Sequence, residues 1–290
     1  MTDFLKNILW ATDFSDEAQE ALLYAGFFAK TFGAQLLALH VVPDFAPALY
    51  EASAVIKGEL LQRLDSMKKE ANSKLEALQK ARRISFDKII IKEGSASKKI
   101  IETSKQQKAD LVVMGRRGLS AMEKIFIGSV ANQVLRSSSV PVLVTKKKKG
   151  KPQVKKILVP TDFSKQEEVE RDFAWKLAKG FNASLTLLYV LELYGHEFRN
   201  VDEMFKAALK KLKRRKKREK EEIEISEDVT RAIYASHGVV DYAETHSFDL
   251  IVMSTYVHKL ARFFLGSTTE KVISYTSIPV FAIPPARSDD

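Results

Sequence analysis

The spacing of apolar positions changes along this chain in a regular order. A short apolar run at 5–11 predicts a strand, and Ser15 just beyond it predicts a helix N-cap, with Asp16 and Glu17 as first-turn acids. Ala18, Ala21, Leu22, Ala25 and Ala29 then recur on one helical stripe, which is expected to end near Gly33. A second strand reads at 34–42 and stops at Pro43. A polar-rich helix comes next at 54–82, then a third strand at 84–92, the turn Glu93-Gly94 and a helix at 97–107. Leu111, Val112, Val113 and Met114, led by Asp110, form a run short and apolar enough for a strand buried on both faces. A helix at 129–137 and a strand at 140–144 complete the series. Strands alternating with helices predict an α/β fold, with a parallel sheet and helices on both faces.

The series is written twice. Ile8-Leu9 matches Ile157-Leu158, and Thr12-Asp13-Phe14-Ser15 matches Thr161-Asp162-Phe163-Ser164. Asp110 to Met114 matches Asp249 to Met253, Gly128-Ser129 matches Gly266-Ser267, and Ser139-VPVLV matches Ser277-IPVFA. A repeat this long predicts two tandem domains, 1–145 and 154–290, joined by a basic linker at 146–153. In the second copy the long helix is expected at 197–222 and the third strand at 228–234.

Composition narrows the classes. A length of 290 residues fits two domains, and 45% hydrophobic content is ample for cores. No apolar run approaches the roughly 18 residues of a membrane span, and the start MTDFLKNILWATDFS does not read as a signal peptide. With no cysteine, disulfides, thiolate metal sites and thiol catalysis are excluded, and a cytoplasmic protein is expected. The net charge of +10 is local: residues 146–156 hold seven lysines, and 206–220 hold ten basic residues against Glu219. The first run reads as a solvated linker. The second reads as a polar helix face, with contact to nucleic acid or an acidic partner left open.

Candidate chemistry centres on the segment just past the apolar run at 111–114. Gly115, Arg116, Arg117 and Gly118 lead, after nine residues, to Gly128-Ser129 and the apolar-periodic Val130, Val134 and Leu135. Glycines at 115 and 118 let backbone approach a ligand and allow positive φ. Gly128 and Ser129 fall where the first N–H groups of a helix point outward, which favours an anion. The order strand, glycine loop, helix therefore predicts a phosphate cradle at the carboxyl end of a parallel strand. Asp13, ending the first strand, could accept hydrogen bonds from an adenine or ribose edge, or form an Asx-turn. Arg116 and Arg117 could neutralise phosphate oxygens or stand solvated.

The second copy departs at this loop. After Met253 it reads Ser254-Thr255-Tyr256-Val257-His258-Lys259, without either loop glycine and one residue shorter to Gly266. It is expected to bind nucleotide weakly or not at all. No G-x-x-x-x-G-K-[ST] or G-x-S-x-G occurs, and the five histidines include no H-E-x-x-H. His40 reads as a hydrogen-bonded core or edge histidine. Nothing supplies an evident base to activate water, so any hydrolysis is expected to be slow.

The TDFS strand end, the Gly-x2-Gly-x9-Gly-Ser loop and the Ser-Val-Pro-Val last strand together resemble the universal stress protein family, over the whole chain as a tandem pair. The resemblance implies two open α/β sandwiches of the adenine-nucleotide alpha-hydrolase-like type, each around a five-stranded parallel sheet. It implies ATP at the strand ends, with ADP, AMP and an accompanying Mg2+ left open. Asp13 and Val41 match positions beside adenine, with Ala11 where many members have proline. Met114, Gly115 and Gly118 match the ribose and phosphate loop, and Gly128, Ser129 and Val130 the phosphate-binding helix start. The family joins domains through the last strand, which here implies pairing of the two copies, and a homodimer is expected. Three functions are open: a nucleotide-binding stress protein without catalysis, a nucleotide-independent scaffold, and a slow ATPase or self-phosphorylating protein.

Overall fold

The computed structural model describes residues 4–45, 53–118, 126–147, 150–164, 167–193, 200–216, 223–255 and 265–285. Two compact units divide the chain, one of 1–122 with 128–142 and the other of 123–127 with 143–290. In the first, β1 (Asn7–Thr12) pairs in parallel with β2 (Gln35–Val42) and, on its other side, with β4 (Leu111–Gly115). β2 pairs with β3 (Lys88–Glu93), so the order is β3-β2-β1-β4. The helices are α1 (Asp16–Phe32), α2 (Ala54–Arg82), α3 (Ala96–Gln106) and α4 (Ser129–Ser137). The Pro141 carbonyl accepts from the Val112 N–H at 3.0 Å, and β5 (Val142–Thr145) comes after it.

The second unit repeats the plan with β6 (Lys156–Thr161), α5 (Glu167–Phe181), β7 (Ser184–Glu192), α6 (Val201–Lys216) and β8 (Ile225–Ala232). After these come α7 (Ala235–Thr245), β9 (Leu250–Ser254), α8 (Ser267–Tyr275) and β10 (Val280–Ile283). Its strands are parallel in the order β10-β9-β6-β7-β8. The fold is α/β throughout, as the alternating pattern predicts.

Local signals account for α1. Ser15 caps its start by accepting from the Ala18 N–H at 3.2 Å, and Gly33 ends it at φ 68° with its N–H donating to Ala29 O. Ala18, Ala21, Leu22 and Ala25 are all buried, so the stripe read from sequence is the face laid on the sheet. Trp10 fixes that contact. Its indole N–H donates to Ala18 O at 2.8 Å while its ring stacks on Phe86 at 5.6 Å, fully buried.

The two Asp residues that lead the central strands have one structural role. Asp110 Oδ2 accepts from the Lys6 and Asn7 N–H groups at 2.7 and 2.9 Å, tying the start of β1 to β4. Asp249 Oδ2 does the same for Lys155 and Lys156, at 2.8 and 3.1 Å.

Boundaries differ from expectation at both third strands. β3 starts at Lys88, not at 84, because Ile84 packs where a Cβ on Gly26 would stand, and Phe86 is spent on Trp10. β8 runs Ile225–Ala232, not 228–234, leaving Ile233 and Tyr234 exposed. The basic helix is described as Val201–Lys216; the rest of the expected 197–222 span, apart from residue 200, lies outside the described residues.

Candidate functional site

The carboxyl ends of β1, β2 and β4 lie side by side. Ala11 is in register with Met114, and Thr12 with His40, with Val41 one residue further along β2. Ala11 and Met114 are buried and Val41 is half-buried. The chain leaves β1 through a strained residue, Phe14, at φ 68°. Two side chains hold it there. Thr12 Oγ1 accepts from the Phe14 N–H at 2.9 Å, and Asp13 Oδ1 accepts from the Ser15 N–H at 3.0 Å. His40 Nδ1 donates to Thr12 O at 2.8 Å, and its ring lies 4.6 Å from that of Phe14. His40 is thus the hydrogen-bonded histidine that its place in the strand predicts.

Asp13 is accordingly an Asx-turn residue through Oδ1. Its other oxygen, Oδ2, is set against Gly118, where any added Cβ would collide with it. The TDFS segment and the glycine loop, about a hundred residues apart in sequence, therefore meet at one point. Gly128 closes the group: its N–H donates to Arg116 O at 2.9 Å, and a Cβ there would stand 3.3 Å from Arg116 O and Arg117 Cα. Ser15 Oγ–H reaches Arg117 O at 3.4 Å. Gly128 also precedes α4 without a side chain that could cap its first turn, and Ser129 is exposed there with Val130 half-buried. Residues 119–125, between the two halves of the loop, lie outside the described residues.

Three expectations for this loop need correction. Neither Gly115 nor Gly118 has positive φ. Gly115 is required by packing: a Cβ there would come within 2.8 Å of Ala18 N and Glu17 C, so it admits α1 to the end of β4. The arginines, too, are neither solvated nor uncommitted cations. Arg116 is 1% exposed with Nη2 4.0 Å from Glu17 Oε1, and burial lowers its pKa against the opposing pull of Glu17. Arg117 donates to Glu17 Oε1 from Nε at 3.0 Å and from Nη2 at 2.6 Å, and its backbone N–H donates to Oε2 at 2.8 Å. Glu17, 7% exposed, is therefore the post on which the loop is hung. The sequence shows it only as one of two first-turn acids; Asp16 beside it is exposed.

In the second repeat the strand exit is preserved. Phe163 has φ 63°, its N–H donates to Thr161 Oγ1 at 3.0 Å, and the Ser164 N–H donates to Asp162 Oδ1 at 2.8 Å. Gly266 N–H donates to Thr255 O at 3.2 Å, as Gly128 does to Arg116. At the Gly115 position stands Ser254. Tyr256, Val257, His258 and Lys259, on which the expected loss of binding rests, lie outside the described residues.

Among the described residues no group of three or more histidines and acids is placed to hold a metal ion, and no helix is long and apolar enough to cross a membrane.

Comparison with known proteins gives the family. The family model described as the universal stress protein family matches residues 5–146 and again 153–284. A universal stress protein of Methanocaldococcus jannaschii is 38% identical over 152 residues, covering 50% of this chain and 84% of its own. A universal stress protein of Synechocystis is 25% identical over 297 residues, covering 95% of this chain and 99% of its own. Among solved structures, a universal stress protein from Archaeoglobus fulgidus covers 97% of this chain and 98% of its own with a TM-score of 0.71; at 23% identity that likeness is one of fold. With both copies matched over nearly their full length, the chain belongs to the universal stress protein family.

Proposed function

We propose that this protein binds an adenine nucleotide, ATP, at the strand ends of its first repeat and acts without catalysing a rapid reaction. The observation that carries the reading is the meeting of Asp13 Oδ2 with the backbone of Gly118, with Gly128 and the start of α4 beside it. Backbone with no Cβ in the way, a carboxylate acceptor and an uncapped helix start suit a ribose and its phosphates. In this reading Asp13 accepts from the ribose or adenine edge, and Ala11, Val41 and Met114 give the base an apolar setting. Gly118, Gly128, Ser129 and Val130 supply the phosphate cradle, while Gly115 admits α1 to the end of β4. Arg116 and Arg117 serve through Glu17 as supports of the loop. The nucleotide brings the polyanion that the helix start favours, and any Mg2+ would arrive with the phosphates. The second repeat is structural or regulatory.

Titration calorimetry of nucleotide-stripped chain with ATP, ADP and AMP tests this. One site is expected, with ATP tighter than AMP by several-fold, since a charge near a helix start contributes about 0.3–1 kcal/mol or more when partly buried. Heat of binding from none of the three would leave the scaffold reading, whose partner would meet the exposed Lys206, Lys210 and Lys213 of α6.

The proposal extends to assembly: the repeats pair through their last strands, and two chains form a homodimer. Its support is the apolar character of 140–144 and 278–283, since uncovered apolar edge strands tend to be paired. Cutting a protease site introduced at 146–153 should leave the halves co-eluting on size exclusion at micromolar concentration. Clean separation would contradict the pairing.

A further inference from the structure

The face made by α7 and α8 in the second repeat carries rings where the same face of the first carries none. Element for element, Ile233, Tyr234 and His237 replace Gly94, Ser95 and Lys98, while Lys271 and Tyr275 replace Gln133 and Ser137. In the first repeat a polar contact joins α3 to α4, the Ser97 hydroxyl donating to Gln133 Oε1. In the second, rings do this. His237 sits between two tyrosines, its ring edge-on to Tyr234 at 5.6 Å and to Tyr275 at 5.8 Å. Lys271 Nζ lies over the Tyr234 ring at 5.5 Å.

The group faces solvent. Ile233 is 63% exposed, Tyr234 48% and Tyr275 46%, and His237 and Lys271 are exposed with them. Apolar side chains scattered singly over a surface need no account, but a contiguous group marks a contact surface, and tyrosine is among the residues enriched there.

The groups around the rings decide which partner fits. The first N–H of α7 is already taken, since Ala235 donates to Glu192 Oε1 at 2.6 Å, so that helix start is not left open for an anion. Lys271 on α8 is positive, and Asp241, one turn after His237 on α7, is negative; both are exposed. A strongly acidic or strongly basic partner would meet a like charge here. A second copy of the face, turned about a two-fold axis, can set the lysine of each against the acid of the other.

We propose that this face, centred on Tyr234, His237 and Tyr275, is where two copies of the chain meet. The inference rests on the homodimer reading above, in which the last strands are taken up between the repeats of one chain and the chains associate through another surface.

Sedimentation velocity of the full chain across the micromolar range tests it. The wild type is expected to dimerise. Tyr234→Ser with Tyr275→Ser installs the first repeat's own residues and removes each ring twice across a two-fold contact, so the dissociation constant should rise about a hundredfold or more. Lys271→Glu sets acid against acid and should weaken the dimer as well. A wild-type chain that stays monomeric overturns this surface and the homodimer together. A dimer that survives either variant in a folded chain overturns this surface alone. If the tyrosine variant does not fold, amide exchange of the wild type above and below its dissociation constant gives the answer. Segments 233–245 and 267–275 should gain protection on association, and protection gained only elsewhere overturns the surface.

Discussion

Glu17→Ala is expected to destabilise the first repeat by about 3–5 kcal/mol, the usual cost of removing one partner from a buried ion pair. The carboxylate holds the Arg117 guanidinium at 2.6 and 3.0 Å and its backbone N–H at 2.8 Å, and lies 4.0 Å from the fully buried Arg116. Without it two cations sit in a desolvated corner with less to answer them, and the loop that carries Gly118 loses its anchor. Glu17→Gln retains an acceptor for the Arg117 N–H and should cost less. Urea unfolding followed by Trp10, in a Trp175→Phe background that silences the other indole, measures the first repeat by itself. A change in stability below about 0.5 kcal/mol for the alanine variant would show that the loop is held by something else.

Gly118→Val is expected to weaken nucleotide binding about a hundredfold or more while the first repeat stays folded. The reason is space and not backbone conformation, since Gly118 does not have positive φ. A Cβ there collides with Asp13 Oδ2, so either the carboxylate swings away or the loop withdraws. Losing a hydrogen bond to a charged group costs roughly 1.5–3 kcal/mol, a factor of about ten to a hundred, and the valine methyls add their bulk in the cleft. Gly118→Ala places the same first carbon and should fall between wild type and valine. Titration calorimetry with ATP, with Trp10 fluorescence as the check on folding, gives the answer. Unchanged affinity in a folded valine variant would put the phosphates elsewhere.

What the sequence could show was local order and its repetition. The shift from strand-like to helical spacing placed the elements, and the doubled TDFS and DLVVM segments revealed that Asp13 sits in a copied design while the loop glycines do not. Contacts across a hundred residues were beyond its reach. Glu17 looked like any first-turn acid because its partner, Arg117, follows β4, next to β1 in the sheet but a hundred residues away in sequence. Gly115 looked like a ligand-facing glycine because nothing in the local sequence tells that α1 comes down upon it. Ile84 and Phe86 alternate as a strand would, yet they fill gaps beside Gly26 and Trp10. In the second repeat the missing loop glycines were plain.

A single working nucleotide site in the first repeat fixes the amount of nucleotide that one chain can carry. The most direct measurement is the amount of nucleotide released on heating the protein as purified, counted against chains, with the same count for the Gly118→Val variant. One equivalent of adenine nucleotide per chain, falling to near zero in the variant, is the expected result. Two equivalents, or one that survives the substitution in a folded variant, would contradict it.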